Sequence, residues 1–264
     1  MRILKLAPLV LAACSSPPAG HSPALEALEA ISQGMVQVVD LTYPLNSENP
    51  YWPGETYSGF EFRTLATLED DGVFSGAICM PEHLGTHLDA PNHFSPGMKS
   101  VDQLELRELV RPMVVVDIRA QAAESAVYQL RVEDLTAWES AHGPIPDGAV
   151  VFAWTGWGEF WPDFERYQNR DDAGRMRFPG FSPESAEFLI RERSASGLGI
   201  DTLSVDYGLS NDFQVHHIIH GSDGYHLENV ANLQLVPVQG AWLIAAPIKI
   251  EGGSGGAARL WAIF

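Results

Sequence analysis

The sequence predicts an α+β fold, with residues 35–264 forming one domain on a mixed sheet. Three observations point there. Apolar strand-like runs outnumber helical stretches, strands and helices intermix without strict alternation, and neither a repeat nor a Pro/Gly/Ser-rich linker divides the chain after residue 35. With 264 residues, 45% apolar and 19% charged, the chain has the composition of a folded protein with a sizeable core.

Taken in order, "LEALEAIS" is a short helix candidate, and "MVQVVDLTYPL" alternates and is valine-rich, as a strand does. "NSENPYWPGET" is a turn-rich loop. Further strands are expected at "FEFRTLATL", "VFSGAICM", "MVVVDIRA", "AVVFAWTG", "LGIDTLSVD", "AWLIAAPIKI" and "RLWAIF". Several of these are continuous apolar runs, which suggests burial on both faces. Helices are expected at "RVEDLTAWESAH" and "SPESAEFLIRERS", the second with Ser182 as N-cap, Pro183 at N1 and Gly197 beyond its end. "GGSGG" near the end has no helix pattern after it and reads as a turn between strands.

A formal charge of −18 argues against nucleic-acid binding, because no basic cluster exists to neutralise phosphates. Only Cys14 and Cys79 are present, so neither a disulfide framework nor a thiolate zinc site can be built. Cys79 reads as a small buried apolar residue. At the start, basic Arg2 and Lys5 precede apolar "LAPLVLAA", which is too short to span a bilayer. "LAAC" followed by two serines resembles the lipobox of bacterial lipoproteins. The resemblance implies lipidation at Cys14 and export to a bacterial envelope, periplasmic or at the surface. Residues 1–34 are then signal and flexible tether, and the lipid is the only membrane contact.

The densest chemistry is "EHLGTHLDAPNHF", from Glu82 to Phe94. His83, His87 and Asp89 offer imidazole and carboxylate ligands suited to zinc, and tolerant of manganese or iron. A helix places Asp89 about 200° round from His87, so it cannot deliver all three. A flat strand separates the two histidines by about 13 Å. A bend is required; Gly85 supplies the backbone freedom, and Pro91 keeps Ala90 extended. The motif is expected to be a bent, extended loop.

"HLGTHLDAPNHF" matches the pattern of the cyclase-like metal-dependent hydrolases, which include bacterial kynurenine formamidases and isatin hydrolases. The resemblance extends to "LTYPL", "YWPGE", "TGW", "GLGIDTLSVD", "LENVANLQLVP" and "PIKIEGGSGGAARL". "GGAAR" departs from the family, where a proline often appears. The resemblance implies a swivelling β/β/α fold and a homodimer or tetramer. It implies one or two divalent ions, Zn²⁺ or Mn²⁺, bound by His83, His87 and Asp89, with His93 as the acid/base. Its second-ion ligands are a downstream histidine and a glutamate twelve residues later, which selects His216 and Glu228, with Asp89 bridging. His217, His220 and His226 are then left as structural histidines. Trp52 aligns with a pocket tryptophan, and Phe60 and Trp154 are further aromatics able to stack on an aryl substrate.

Such a site can activate water for amide hydrolysis, with His93 carrying the proton to the leaving nitrogen. No G-x-S-x-G, H-E-x-x-H, Walker or dinucleotide motif competes. The expected activity is cleavage of an amide bond in a small aromatic substrate of the N-formylkynurenine class. Isatin-like opening of a cyclic amide, or of a lactone, is the alternative. An anchored protein that binds metal or ligand without turnover is a reading of another class; loss of turnover on His93→Ala separates the two.

Overall fold

The computed structural model describes residues 23–54 and 56–264. The expected signal region and Cys14 lie outside the described residues. The chain forms two units, Met1–Val36 and Gln37–Phe264. In the first, the helix α1 (Pro23–Ser32) falls where "LEALEAIS" was expected.

The second unit carries the rest. It begins with β1 (Val38–Asp40), a hairpin of β2 (Glu61–Ala66) and β3 (Ser75–Cys79) joined through α2 (Leu68–Asp71), and the short β4 (His87–Asp89). Then come β5 (Val110–Asp117), α3 (Arg119–Glu124), β6 (Gln129–Leu130), α4 (Val132–His142), β7 (Val150–Trp154) and α5 (Phe164–Gln168). The chain continues through β8 (Gly180–Phe181), α6 (Pro183–Arg193), β9 (Gly197–Ile200), α7 (Gln214–Gly221), β10 (Tyr225–Glu228), β11 (Ala241–Pro247) and β12 (Gly255–Ile263).

The main sheet is mixed. The strands β5, β7, β9 and β10 run parallel, while β11, β12 and β4 pair antiparallel. In the order β12-β11-β5-β7-β9-β10-β4, the last strand pairs back onto β12, so seven strands close into a barrel-like ring. The strand β1 continues the β4 edge of β12, pairing Val38 with Ile263. Closure leaves little open edge.

Alternation along the central strands divides two cores. Met113, Val115, Val150 and Phe152 pack on one face with Leu227, Leu243 and Leu260. Val114, Val116, Val151 and Ala153 point the other way, onto Leu135 and Trp138 of α4, Leu189 of α6 and Val215 and Ile219 of α7. Burial on both faces accounts for the continuous apolar runs, each buried aliphatic side chain contributing about 1.5–3 kcal/mol. The helix α6 starts as read: the Ser182 hydroxyl accepts from Ser185 N, with Pro183 at its start.

The β2–β3 hairpin departs from expectation. Among the described residues its strands pair only with each other, and its faces are open to solvent: Phe62 (52%), Phe74 (59%) and Ile78 (54%) are exposed. Cys79 is therefore an exposed free thiol, not a buried packing residue. Among the described residues, no helix is long and apolar enough to cross a membrane.

Candidate metal centre

The motif bends where a bend was required: Gly85 has φ +70, and residues 87–89 then form β4. The flanking register builds the site. His87 lies opposite Glu228 and Asp89 opposite His226 on β10, while Asp89 faces Gly255 of β12 on the other side. Since directly opposed residues and their i, i+2 neighbours share a face, His87, Asp89, His226 and Glu228 project together. Gly255 gives His83 room, because a Cβ there would lie 2.7 Å from His83 Cε1 and 2.6 Å from Leu88 O.

The helix α7 adds His216. Val215, His216, Ile219 and His220 form its buried face, and His217 is exposed. Asp206 caps the helix from a distance, accepting from Val215 N (3.1 Å) and His216 N (3.2 Å), and it holds His216 Nδ1 at 2.6 Å.

His83, His87, Asp89, His93, His216 and Glu228 all line one pocket of about 270 Å³, together with Trp52, Tyr57, Phe94 and Phe213. Trp52 lies 5.8 Å from the Phe213 ring. Phe60 and Trp154 do not reach this pocket. Phe60 lines a surface depression with Leu45 and Phe62, and Trp154 is stacked under Arg119 at 3.6 Å. Tyr57, Phe94 and Phe213 take the places foreseen for them.

Hydrogen bonding fixes the ring tautomers. His87 Nδ1 donates to Gly85 O at 2.9 Å, which leaves its Nε2 lone pair facing Asp89 Oδ1 at 3.0 Å and Glu228 Oε2 at 3.5 Å. Ser254 Oγ donates to Glu82 Oε2 at 2.6 Å, so it accepts from His83 Nε2 at 2.9 Å. His83 Nδ1 is then turned, as an acceptor, on Asp89 Oδ1 at 2.7 Å. His216, with Nδ1 committed to Asp206, turns Nε2 towards Glu228 Oε1 at 3.6 Å and Asp89 Oδ2 at 3.9 Å.

In its neutral form each of these imidazoles aims a lone pair at a carboxylate oxygen, and a cation between them reconciles acceptor with acceptor. Orientation of ligand histidines by carboxylate, carbonyl and hydroxyl partners is the arrangement expected around a metal. The donor set, imidazole and carboxylate without thiolate, fits zinc or manganese.

With protons as the only cations, burial opposes charge on His226, yet Asp89 and Glu228 hold it up to about 10. His87 is raised in the same way against its burial. Burial disfavours the Asp89 carboxylate, but His83, His226 and His87 hold it well below the usual range. His93 behaves oppositely: burial and the neighbouring histidines push it down to about 4, despite Asp89. It is a neutral acceptor at pH 7, with Nε2 3.5 Å from Asp89 Oδ2 and its side chain 24% exposed.

Two sets of donor atoms lie within 4.8 Å of one another: Asp89, His216, His226 and Glu228, and His83, Asp89 and His93. The structure thus draws in His226, which the sequence reading left aside. The missed signal is its i, i+2 relation to Glu228 on a strand.

The Cyclase family model matches residues 39–207. Isatin hydrolase from Roseibium aggregatum is 31% identical over 245 residues, covering 87% of this chain and 92% of that protein. Kynurenine formamidase from Bacillus cytotoxicus is 30% identical over 227 residues, covering 84% of this chain and 94% of that protein. Among solved structures, isatin hydrolase A from Labrenzia aggregata bound to benzyl benzoate superposes with a TM-score of 0.86 at 34% identity, covering 92% and 99% of the two chains.

Proposed function

From the premise that the chain belongs to the Cyclase family, we propose that it is a divalent-metal-dependent hydrolase opening an amide bond in a small aromatic substrate. The observation that carries this is the convergence of acceptor nitrogens and carboxylates on one point beside an aromatic pocket. When bound, a divalent ion supplies Lewis acidity towards a carbonyl and lowers the pKa of water towards neutrality. His83, His87 and Asp89 would hold it on the His93 side, and His216 and Glu228 would hold a second beside Asp89.

The remaining steps belong to this chain's side chains. His93, neutral above about pH 4, accepts the proton of the attacking water at Nε2 and returns it to the leaving nitrogen. Trp52, Phe94 and Phe213 stack on the aryl ring and exclude water from the reacting carbonyl. A pocket near 270 Å³ lies just below the span of about 300–1,000 Å³ common for drug-sized ligands, so a compact substrate fits best.

A cyclic amide of the isatin type is the first substrate choice, supported by the likeness to isatin hydrolases across nine-tenths of the chain. An aryl formamide such as N-formylkynurenine is the second. Turnover of isatin, N-formylkynurenine and an aryl lactone by the zinc- or manganese-loaded protein tests the proposal. Hydrolysis of none of the three sinks it, and preference for the formamide reverses the order.

The swivelling β/β/α class is assigned on the family resemblance. Lipidation at Cys14 and a homo-oligomer complete the proposal. Cys14→Ser should abolish palmitate labelling of cells. Phe62→Ser with Phe74→Ser, in the exposed hairpin, should lower the mass measured by light scattering.

A further inference from the structure

His226 is fully buried, and among the described residues neither of its ring nitrogens has a hydrogen-bond partner. Its neighbour His220 is also fully buried and unpartnered at both nitrogens; the two rings stack at 4.8 Å with planes 14° apart. A buried polar atom left unmet destabilises the fold, so an imidazole placed there needs a reason that an aliphatic side chain would not.

The reason lies at Nε2. It stands 3.1 Å from Asp89 Oδ2 and 3.1 Å from Glu228 Oε1, in ion-pair range but without hydrogen-bond geometry. His216 Nε2 stands 3.9 Å and 3.6 Å from the same two oxygens. Four donors at the corners of a tetrahedron with metal–ligand bonds of about 2.0–2.1 Å are about 3.3 Å apart. The four measured edges, 3.1, 3.1, 3.6 and 3.9 Å, bracket that value.

We propose that His226 is a metal ligand, and that Asp89, His216, His226 and Glu228 form a closed, four-protein-ligand position for a resident structural ion. The substrate-facing ion then occupies the outer position beside His83 and His93. Exposure divides the two in the same way. The side chains of Asp89, His216, His226 and Glu228 are 2%, 5%, 0% and 6% exposed, against 15% for His83 and 24% for His93. His226 is absent from the pocket lining, which the other three inner ligands share with His83 and His93, so it is His226 that completes the inner position from outside the pocket. Four protein ligands mark a structural zinc site, and three with an open position mark a catalytic one. Without His226, the inner position would be open as well.

The inference rests on the proposed metal centre but not on any substrate. It is therefore tested by metal content. Full-length protein is loaded with Zn²⁺, dialysed against EDTA and analysed for zinc. Wild type is expected to keep one ion per chain under conditions that strip the other. His226→Leu is expected to keep none, and His220→Phe, which preserves the stacked ring, to keep one. Thermal unfolding of the metal-free variants checks that each is folded.

Co²⁺ in the retained position of wild type should give the intense visible absorption of a four-coordinate ion, a reading that stands even if His226→Leu does not fold. Loss of both ions from wild type together, retention of an ion by folded His226→Leu, or the weak spectrum of a five- or six-coordinate cobalt would each overturn the proposal. A protein that keeps its ion yet hydrolyses none of the substrates fails the functional reading alone.

Discussion

Asp206→Asn separates two jobs that one carboxylate performs. Its Oδ2 holds His216 Nδ1 at 2.6 Å and also accepts His216 N, while Oδ1 accepts Val215 N at the start of α7. Asparagine has one acceptor oxygen, so one of these two positions becomes an amide NH₂ facing an N–H. If the oxygen stays with the ring, a charge-assisted bond becomes a neutral one. Central values of about 1.5–3 and 0.5–1.5 kcal/mol put the loss near 1–1.5 kcal/mol, or about tenfold in metal affinity. If the oxygen turns to the helix, His216 loses its orienting partner and affinity falls towards 100-fold, the upper range for such partners. The displaced backbone donor costs about 1–3 kcal/mol in either case, and that part is present without metal. Zinc competition titration measures the first quantity, and thermal unfolding of the metal-free protein measures the second. A folded variant whose zinc affinity changes less than about threefold would refute the orienting role of Asp206.

Three other outcomes are expected. His93→Gln should keep its zinc but lose about 10²–10⁴ in rate. Because burial holds His93 near 4, the wild-type kcat/KM should show no His93 limb between about pH 6 and 7; one that vanishes in His93→Gln would contradict the depressed value. Zinc affinity should rise with pH: His226 is raised to about 10 in the metal-free cluster and His87 is raised beside it, so protons must be released on binding, giving a slope of at least about one log unit per pH unit. A pH-independent affinity would show that His226 gives up no proton. Gly255→Ala should lower stability by about 1–3 kcal/mol and weaken zinc binding, because the Leu88 carbonyl cannot move aside without opening the β4–β12 pairing. Unchanged melting and zinc content would mean that His83 does not need that space.

The parts of the fold legible in the sequence are those whose cause is local. The helix α6 announces itself with Ser182, Pro183 and a buried stripe, and β5 and β7 with valine runs long enough to cross a core. The helix α7 offers no such sign. Its first turn follows Phe213 in a left-handed conformation at φ +49, and its cap is Asp206, ten residues before His216 and invisible to any spacing rule for helix starts. The strand β10 is four residues long and draws its existence from β9 and β4 on either side. The exposure of Phe62, Phe74 and Cys79 escaped for the converse reason: alternation shows that a hairpin has faces, but not whether anything packs on them.

The same distinction governs the site. That "HLGTHLD" must bend at Gly85 follows from chain geometry, since neither a helix nor a flat strand lets His83, His87 and Asp89 converge, and the observed φ of +70 is that bend. What converges with them depends on register. Pairing Asp89 with His226 puts a second imidazole on the far side of the carboxylate from His83. A slip of one residue would put Leu227 there instead and turn His226 away. That register is set by the closure of seven strands, with β4 held between β10 and β12, and so it lies in no local stretch of sequence. Apart from the family spacing that singles out His216, histidines at 216, 217, 220 and 226 look equivalent in a string. In the fold, His217 faces solvent, His220 stacks, and His216 and His226 aim Nε2 at the same two oxygens, so ring closure decides which of the four can act as ligands.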